Sequence, residues 1–287
     1  MDTRFLESFV VVVDEGSMAA AARVLNVTPA AVAQRVRALE DEIGSVLLSR
    51  TGRTVSPTEA GLAILERART LTSDVHDLQA MAAGDAVAGE LRVGASSTGM
   101  SGLLPPILSQ MQDRYPAMRV HLGRGHSSGL YQDVLERRSD VAMITEPNFV
   151  LPKACGWQRV RREPLVLITP KGMAVPDPET VLKSEPFIRY DQGQWGRTNI
   201  ANYLRHVGLR PEERFELDTL DAIAIMVDRG LGISLIPDFA RPWPEGLEIV
   251  KTPVGGLEYD RGVGLVWLHA SARLRLIRAF VEAFSAR

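Results

Sequence analysis

Apolar positions near the start of the chain recur at the spacing of one helical face. Phe5, Phe9, Val12 and Val13 predict an amphipathic helix over Thr3–Glu15. Gly16-Ser17 interrupts it, and the Ser17 hydroxyl is placed to cap a second helix over 18–25. Asn26-Val27 makes a short turn before Thr28-Pro29. There a threonine oxygen can accept an orphan amide, and proline takes the first helical position, where no donor is needed. The third helix is expected to run to about Ile43 and to stop at Gly44. Val32, Val36, Leu39 and Ile43 form its buried stripe. Ala30, Ala33, Gln34, Arg37 and Asp41 then point the other way, with Ala31 and Arg35 on the flanks.

Residues 46–50 and 54–55 read as two short strands around Thr51-Gly52-Arg53, a wing that carries Arg50 and Arg53. Two helices joined by a short turn, the second with small and polar residues along its exposed N-terminal half, have helix-turn-helix geometry. Small residues let a backbone approach base edges, Gln34 can bond adenine through two atoms, and arginines reach guanine or phosphate. Charge adds little. Arg35, Arg37, Arg50 and Arg53 against Glu40, Asp41 and Glu42 give four minus three, a net of +1 over 28–55. From these residues a DNA reader stands beside a three-helix packing module with solvated arginines.

A longer helix follows, with Pro57 placed as its first-turn proline after Ser56. Ile64, Ala68, Leu71, Val75, Leu78 and Ala82 are separated by 4, 3, 4, 3 and 4 residues, a heptad seam suited to pairing with a second copy. An amphipathic helix lying on its own domain is the alternative. The small, glycine-flanked stretch 83–89 reads as a hinge.

From residue 90 strands and helices alternate: strands at 90–95, 119–123, 140–145, 165–169, 186–190, 233–236 and 262–268, and helices at 103–115, 130–138, 198–207, 221–229 and 272–284. Runs such as Val141-Ala142-Met143-Ile144 argue for a parallel sheet covered on both faces. The order suggests two lobes, one built from about 90–161 and 263–287, the other from about 162–262. Ligands of such sheets sit beyond the carboxyl ends of strands, near free helix N-termini. Ser96, Ser97 and Thr98 follow the first strand, His126, Ser127 and Ser128 the second, and Thr145 and Glu146 end the third. In the other lobe Tyr190, Trp195 and Arg197 lie between strand and helix, and Thr219 precedes the helix at Asp221. Each hydroxyl also suits a cap, and Glu146 also suits a solvated rim.

Composition narrows the function classes. The 287 residues are 45% hydrophobic and 24% charged, enough for two or three packed domains and too apolar for disorder. Cys155 is the single cysteine, so an internal disulfide is impossible and a reducing compartment fits. Acids at Asp2, Glu7, Asp14 and Glu15 do not suit a signal peptide, and no apolar run is long enough to span a bilayer; the cytoplasm is the expected location. A net charge of −2 announces no global basic field. Gly125-His126-Ser127-Ser128-Gly129 matches a nucleophile elbow, and with His206 or His269 and Asp191 or Asp221 it makes a serine hydrolase the rival reading. The histidines lack ligand spacing, so no metal site is expected, and no phosphate-binding glycine loop is present. No cofactor is expected. A free-standing solute-binding protein would fit 90–287 but not the N-terminal reader.

Several stretches carry a family resemblance: residues 19–28, then Val36-Arg37-Ala38-Leu39-Glu40, Gly44, Leu47-Leu48-Ser49-Arg50, and Thr58-Glu59-Ala60-Gly61. The chain resembles the LysR-type transcriptional regulators, most specifically over 3–61 and in layout throughout. Two departures are Ala33, where the family often has serine, and Leu48, where phenylalanine is usual. The resemblance implies an α/β protein with an N-terminal winged helix-turn-helix over 1–58, a linker and dimerisation helix with its hinge over 59–89, and a two-lobed periplasmic-binding-protein-like α/β effector domain over 90–287. It implies promoter DNA, a small-molecule effector between the lobes and a second copy of the chain as partners. Tetramers are common in the family, and RNA polymerase is a further candidate partner. No catalysis is expected. Thr28, Ala30, Ala31, Gln34, Arg35 and Arg37 would lie at or near the groove, Arg50 and Arg53 would hold the backbone, and Ser17 would touch phosphate. Ser96, Ser97, Thr98, Ser127 and Ser128 fall on the family's pocket positions.

Overall fold

The computed structural model describes residues 2–51, 54–82, 87–190, 195 and 197–285. Met1–Glu90 and Leu91–Arg287 form separate compact units. In the first, α1 (Thr3–Glu15), α2 (Met18–Val24) and α3 (Pro29–Ile43) precede a two-stranded antiparallel wing, β1 (Leu48–Thr51) and β2 (Thr54–Pro57), and then α4 (Glu59–Ala82). Each helix start has its chemical reason. Asp2 accepts from the Arg4 amide at 2.9 Å, Ser17 from Ala20 at 3.1 Å, and Thr28 from Ala31 at 3.2 Å. The Arg4 guanidinium beside Asp2 holds that carboxyl down at about 2. Gly44 closes α3 at φ 75°, a left-handed position that suits glycine.

Phe9, Val12, Val32, Val36, Leu39 and Leu47 are buried together as the core of this unit. Ile43 is not part of it; expected in the buried stripe, it stands exposed in the last turn of α3. Pro57 also differs from expectation. It is the last residue of β2, opposite Leu48, and α4 begins at Glu59. Thr58 does the capping instead: its Oγ accepts from the Gly61 amide at 3.1 Å and donates to the Val46 carbonyl at 2.7 Å. Glu40 fixes the wing's root, one carboxylate oxygen accepting from the amides of Leu47 (2.8 Å) and Leu48 (3.1 Å).

The second unit holds two sheets. One contains β3 (Gly89–Ala95), β4 (Met118–Arg124), β5 (Val141–Thr145), β6 (Cys155–Glu163) and β12 (Arg261–Leu268) in the order β4-β3-β5-β12-β6. The other joins β7 (Leu165–Pro170), β10 (Ser234–Pro237) and β11 (Ile249–Pro253) in the order β10-β7-β11; a Phe187–Ile233 bridge links it to the parallel pair β8 (Phe187–Tyr190) and β9 (Glu213–Leu217). Helices α5 (Leu104–Arg114), α6 (Ser127–Leu135) and α10 (Leu274–Ser285) go with the first sheet, and α7 (Pro178–Ser184), α8 (Arg197–His206) and α9 (Leu220–Asp228) with the second.

The expected all-parallel sheets are in fact mixed. β3 and β5 run parallel, but β12 is antiparallel to β5 and β6, and β7 is antiparallel to both its neighbours. The reason is the chain path. It leaves the first lobe along β6 and returns along β12, and an outgoing and a returning strand side by side pair antiparallel. Periodicity does not mark β6, because Arg159, Arg161 and Arg162 hide its apolar signal, nor β9 and β11, because both are largely exposed. Asp140, buried at the start of β5, accepts from Arg92 Nη2 and Arg273 Nη1, each at 3.0 Å, tying β3 and the approach to α10 together.

Candidate functional site

The first candidate surface is α3. Thr28, Ala30, Gln34 and Arg37 are exposed, and Ala31 and Arg35 are half-buried, as the helical spacing requires once Val32, Val36 and Leu39 take the core side. Ala33, expected on the open face, is half-buried. Ser17 and Thr28 already spend an oxygen lone pair on their caps, which leaves each hydroxyl hydrogen free to donate. Arg53 lies outside the described residues, as does the side chain of Arg50.

On α4 the heptad seam divides. Ile64, Ala68 and Leu71 pack against the core of their own unit, as an amphipathic helix lying on its own domain does, and Arg69 pairs with Asp14 of α1. Val75 is half-buried, whereas Leu78 is 63% exposed, and the side chain of Ala82 lies outside the described residues.

The second candidate is a cavity of about 310 Å³ in the C-terminal unit, where the strand ends of both sheets converge. Ser96, Ser97 and Thr98 enter it after β3, Arg124 to Ser127 between β4 and α6, and Thr145 from the end of β5. Tyr190 comes from the end of β8, Asp218, Thr219 and Leu220 from the start of α9, and Arg261 from the first residue of β12. α6 and α9 both begin here, and neither has a side-chain cap on its first amides. Uncapped helix starts present N–H groups and positive potential to an anion.

Several of these side chains are held in place. Ser127 is buried, its Oγ accepting from the Thr145 amide at 3.0 Å, so it locks α6 to β5. Thr219 Oγ1 donates to Asp218 Oδ1 at 2.9 Å. Arg261 is 4% exposed; its Nε donates to Glu163 Oε2 at 2.7 Å and its Nη2 to Thr98 Oγ1 at 3.2 Å. Glu163, 1% exposed, also accepts from the Ala240 amide at 3.2 Å. Beside the cavity, burial pushes the Asp221 carboxyl up from its ordinary range.

The cavity thus gathers eight residues expected to bind effector: Ser96, Ser97, Thr98, His126, Ser127, Thr145, Tyr190 and Thr219. Others fall elsewhere. Ser128 is exposed on the first turn of α6, and Glu146 forms an ion pair with Arg159, Nε to Oε2 at 2.8 Å. Trp195 packs against Tyr131 and Phe149, its ring centroid 5.9 and 5.4 Å from theirs. The side chain of Arg197 lies outside the described residues. Arg124, Gly125, Leu220 and Arg261 were missed. No local pattern marks Arg124, Leu220 or Arg261 as cavity residues, since they meet only when the two sheets are brought together, whereas Gly125 stands in the glycine-serine motif beside His126 and Asp218 directly precedes Thr219.

The hydrolase reading gains no support among the described residues: His206 lies against Tyr259 and His269 against Trp267, neither lines the cavity that Ser127 enters, and Asp191 lies outside the described residues. Among the described residues no cluster of histidine, cysteine or carboxylate is arranged to hold a metal ion, and no helix is long and apolar enough to cross a membrane.

Two family models match the chain: "Bacterial regulatory helix-turn-helix protein, lysR family" over residues 3–62, and "LysR substrate binding domain" over residues 84–287. The HTH-type transcriptional regulator CzcR of Bacillus anthracis is 30% identical over 242 residues, covering 84% of this chain and 81% of that one. The HTH-type transcriptional activator IlvY of Salmonella typhimurium is 28% identical over 249 residues, covering 83% of each. Among solved structures, full-length CbnR in complex with its target DNA matches with a TM-score of 0.67 and 23% identity over 100% of this chain and 99% of that one. HinK of Pseudomonas aeruginosa, a LysR family transcriptional regulator, matches with a TM-score of 0.59 and 23% identity over the same shares. With both halves of the chain matched in order, this protein belongs to the LysR family and is a DNA-binding transcriptional regulator rather than an enzyme.

Proposed function

We propose that the regulator reads promoter DNA with α3, its flanking residues and its wing, and that a small polar molecule with an anionic group controls it from the 310 Å³ cavity. The observation that carries this reading is the convergence, from two sheets, of hydroxyls and two uncapped helix starts on one space. Ser97 and Arg124 are the groups with most freedom to meet the ligand, because Thr98 and Ser127 are already committed to Arg261 and Thr145. Thr28, Ala30, Ala31, Gln34, Arg35 and Arg37 would serve base and groove contacts. Arg50, Arg53 and Ser17 would serve phosphate, setting affinity without sequence preference.

The domain division that fits this role is 1–58 for the reader, 59–89 for linker and dimer helix, and 90–287 for the sensor. A second copy would pair along the part of α4 that its own core leaves open, near Leu78. Two readers joined in this way gain apparent affinity of about 10²–10⁴ without new contacts. The ligand would favour one closure of the two lobes and so one arrangement of the paired readers; equal affinity for both arrangements would shift nothing. The working compartment is the cytoplasm, and activation would act through RNA polymerase.

Thermal shift of the full chain against a panel of small carboxylates tests the cavity. A ligand at 100 times its Kd should add about 2.7 kcal/mol of stability. Ser97→Ala should reduce that response while leaving the unliganded melting temperature unchanged. A response indifferent to both Ser97→Ala and Arg124→Ala would place the ligand elsewhere.

A further inference from the structure

A second cavity, of about 430 Å³, lies in the second lobe between α8 and the β8–β9 pair. Its floor is apolar: Phe187 and Ile200 are buried there, with Leu204 and Leu209 beside them. Its rim is cationic. Arg189, Arg205 and Arg210 stand around it against one carboxylate, Glu213, so three minus one leaves a net of +2. Glu213 is taken by Arg189 in an ion pair. Among the described residues Arg205 donates only to the neutral amide oxygen of Asn202, at 3.0 Å, and Arg210 has no ion-pair partner. Ala201, one turn before Arg205 on α8, has too small a side chain to fill the space.

An apolar floor under two guanidinium groups without carboxylate partners suits a molecule with a hydrocarbon body and an anionic head. The volume falls within the range of small-molecule sites, about 300–1,000 Å³. Guanidinium groups bind carboxylates with charge-assisted hydrogen bonds. We propose that this is a second ligand site, for a small amphipathic carboxylate, with its chain over Phe187, Ile200 and Leu204 and its head between Arg205 and Arg210. The site stands apart from the effector cavity, although Tyr190 borders both.

Calorimetric titration of the full chain with butyrate, hexanoate, octanoate and octylammonium tests it. Burial of each added methylene should tighten carboxylate binding about fourfold. Octylammonium should not bind. Arg205→Glu with Arg210→Glu, both exposed and removed from the core, should weaken octanoate on the order of tenfold or more. Ala201→Trp should abolish binding by filling the space, whereas Ser97→Ala in the other cavity should change nothing. Circular dichroism confirms that each variant is folded. The proposal is overturned if octanoate gives no saturable binding, if octylammonium binds equally well, or if binding is lost in Ser97→Ala and kept in the double arginine variant.

Discussion

Glu163 offers the sharpest test of how the sensor unit is held together. Its carboxylate is 1% exposed and receives Arg261 Nε at 2.7 Å and the Ala240 amide at 3.2 Å, while Arg161 Nε stands at 3.5 Å. Glu163 ends the outgoing strand and Arg261 begins the returning one, so the pair sits where the two lobes are joined. Glu163→Gln keeps one acceptor but removes the charge, leaving the Arg261 guanidinium buried and uncompensated. Breaking a buried pair from one side costs about 3–5 kcal/mol, whereas replacing both partners by apolar residues is often near neutral. Glu163→Gln should therefore lose about 3 kcal/mol, and Glu163→Leu combined with Arg261→Met far less than the two single changes added together. Trp157, Trp195, Trp243 and Trp267 all lie in Leu91–Arg287, so tryptophan emission during urea unfolding of the full chain reports on that unit alone. A loss under about 1 kcal/mol for Glu163→Gln, with additive behaviour in the double variant, would refute the claim that the pair is buried and mutually dependent.

Two further outcomes follow from the N-terminal unit. Arg53→Ala should weaken specific and random DNA alike and lower the slope of log affinity against log salt by about one, whereas Gln34→Ala should change base preference; electrophoretic mobility shift over a salt series separates them. Identical losses on both DNAs for both variants would contradict the assigned roles. Leu78→Asp should convert dimers to monomers in sedimentation while leaving the fold intact, because Leu78 is 63% exposed within its own chain. An unchanged sedimentation coefficient would move the interface away from this helix. Leu71→Asp would be a poor substitute, since Leu71 packs against its own core.

What could be read along the chain was local chemistry. Ser17, Thr28-Pro29 and Gly44 mark helix ends because capping and left-handed geometry involve only a few neighbouring residues. The spacing of Val32, Val36 and Leu39 determines which side of α3 remains open, and so places Gln34 and Arg37 on it. The hydroxyls at strand ends were legible for the same reason, since strand and helix periodicity reveals where each strand stops.

What the tertiary structure decided were choices between partners far apart in sequence. The heptad spacing of α4 is equally compatible with a second copy and with the chain's own core. Only packing assigned Ile64, Ala68 and Leu71 to the core and left Leu78 outside. The antiparallel course of β6 and β12, the removal of Glu146 to Arg159 and the arrival of Arg261 at the cavity each depend on contacts across the fold. Periodicity carries no information about such pairings, because burial pattern reports that a face is covered and never by what.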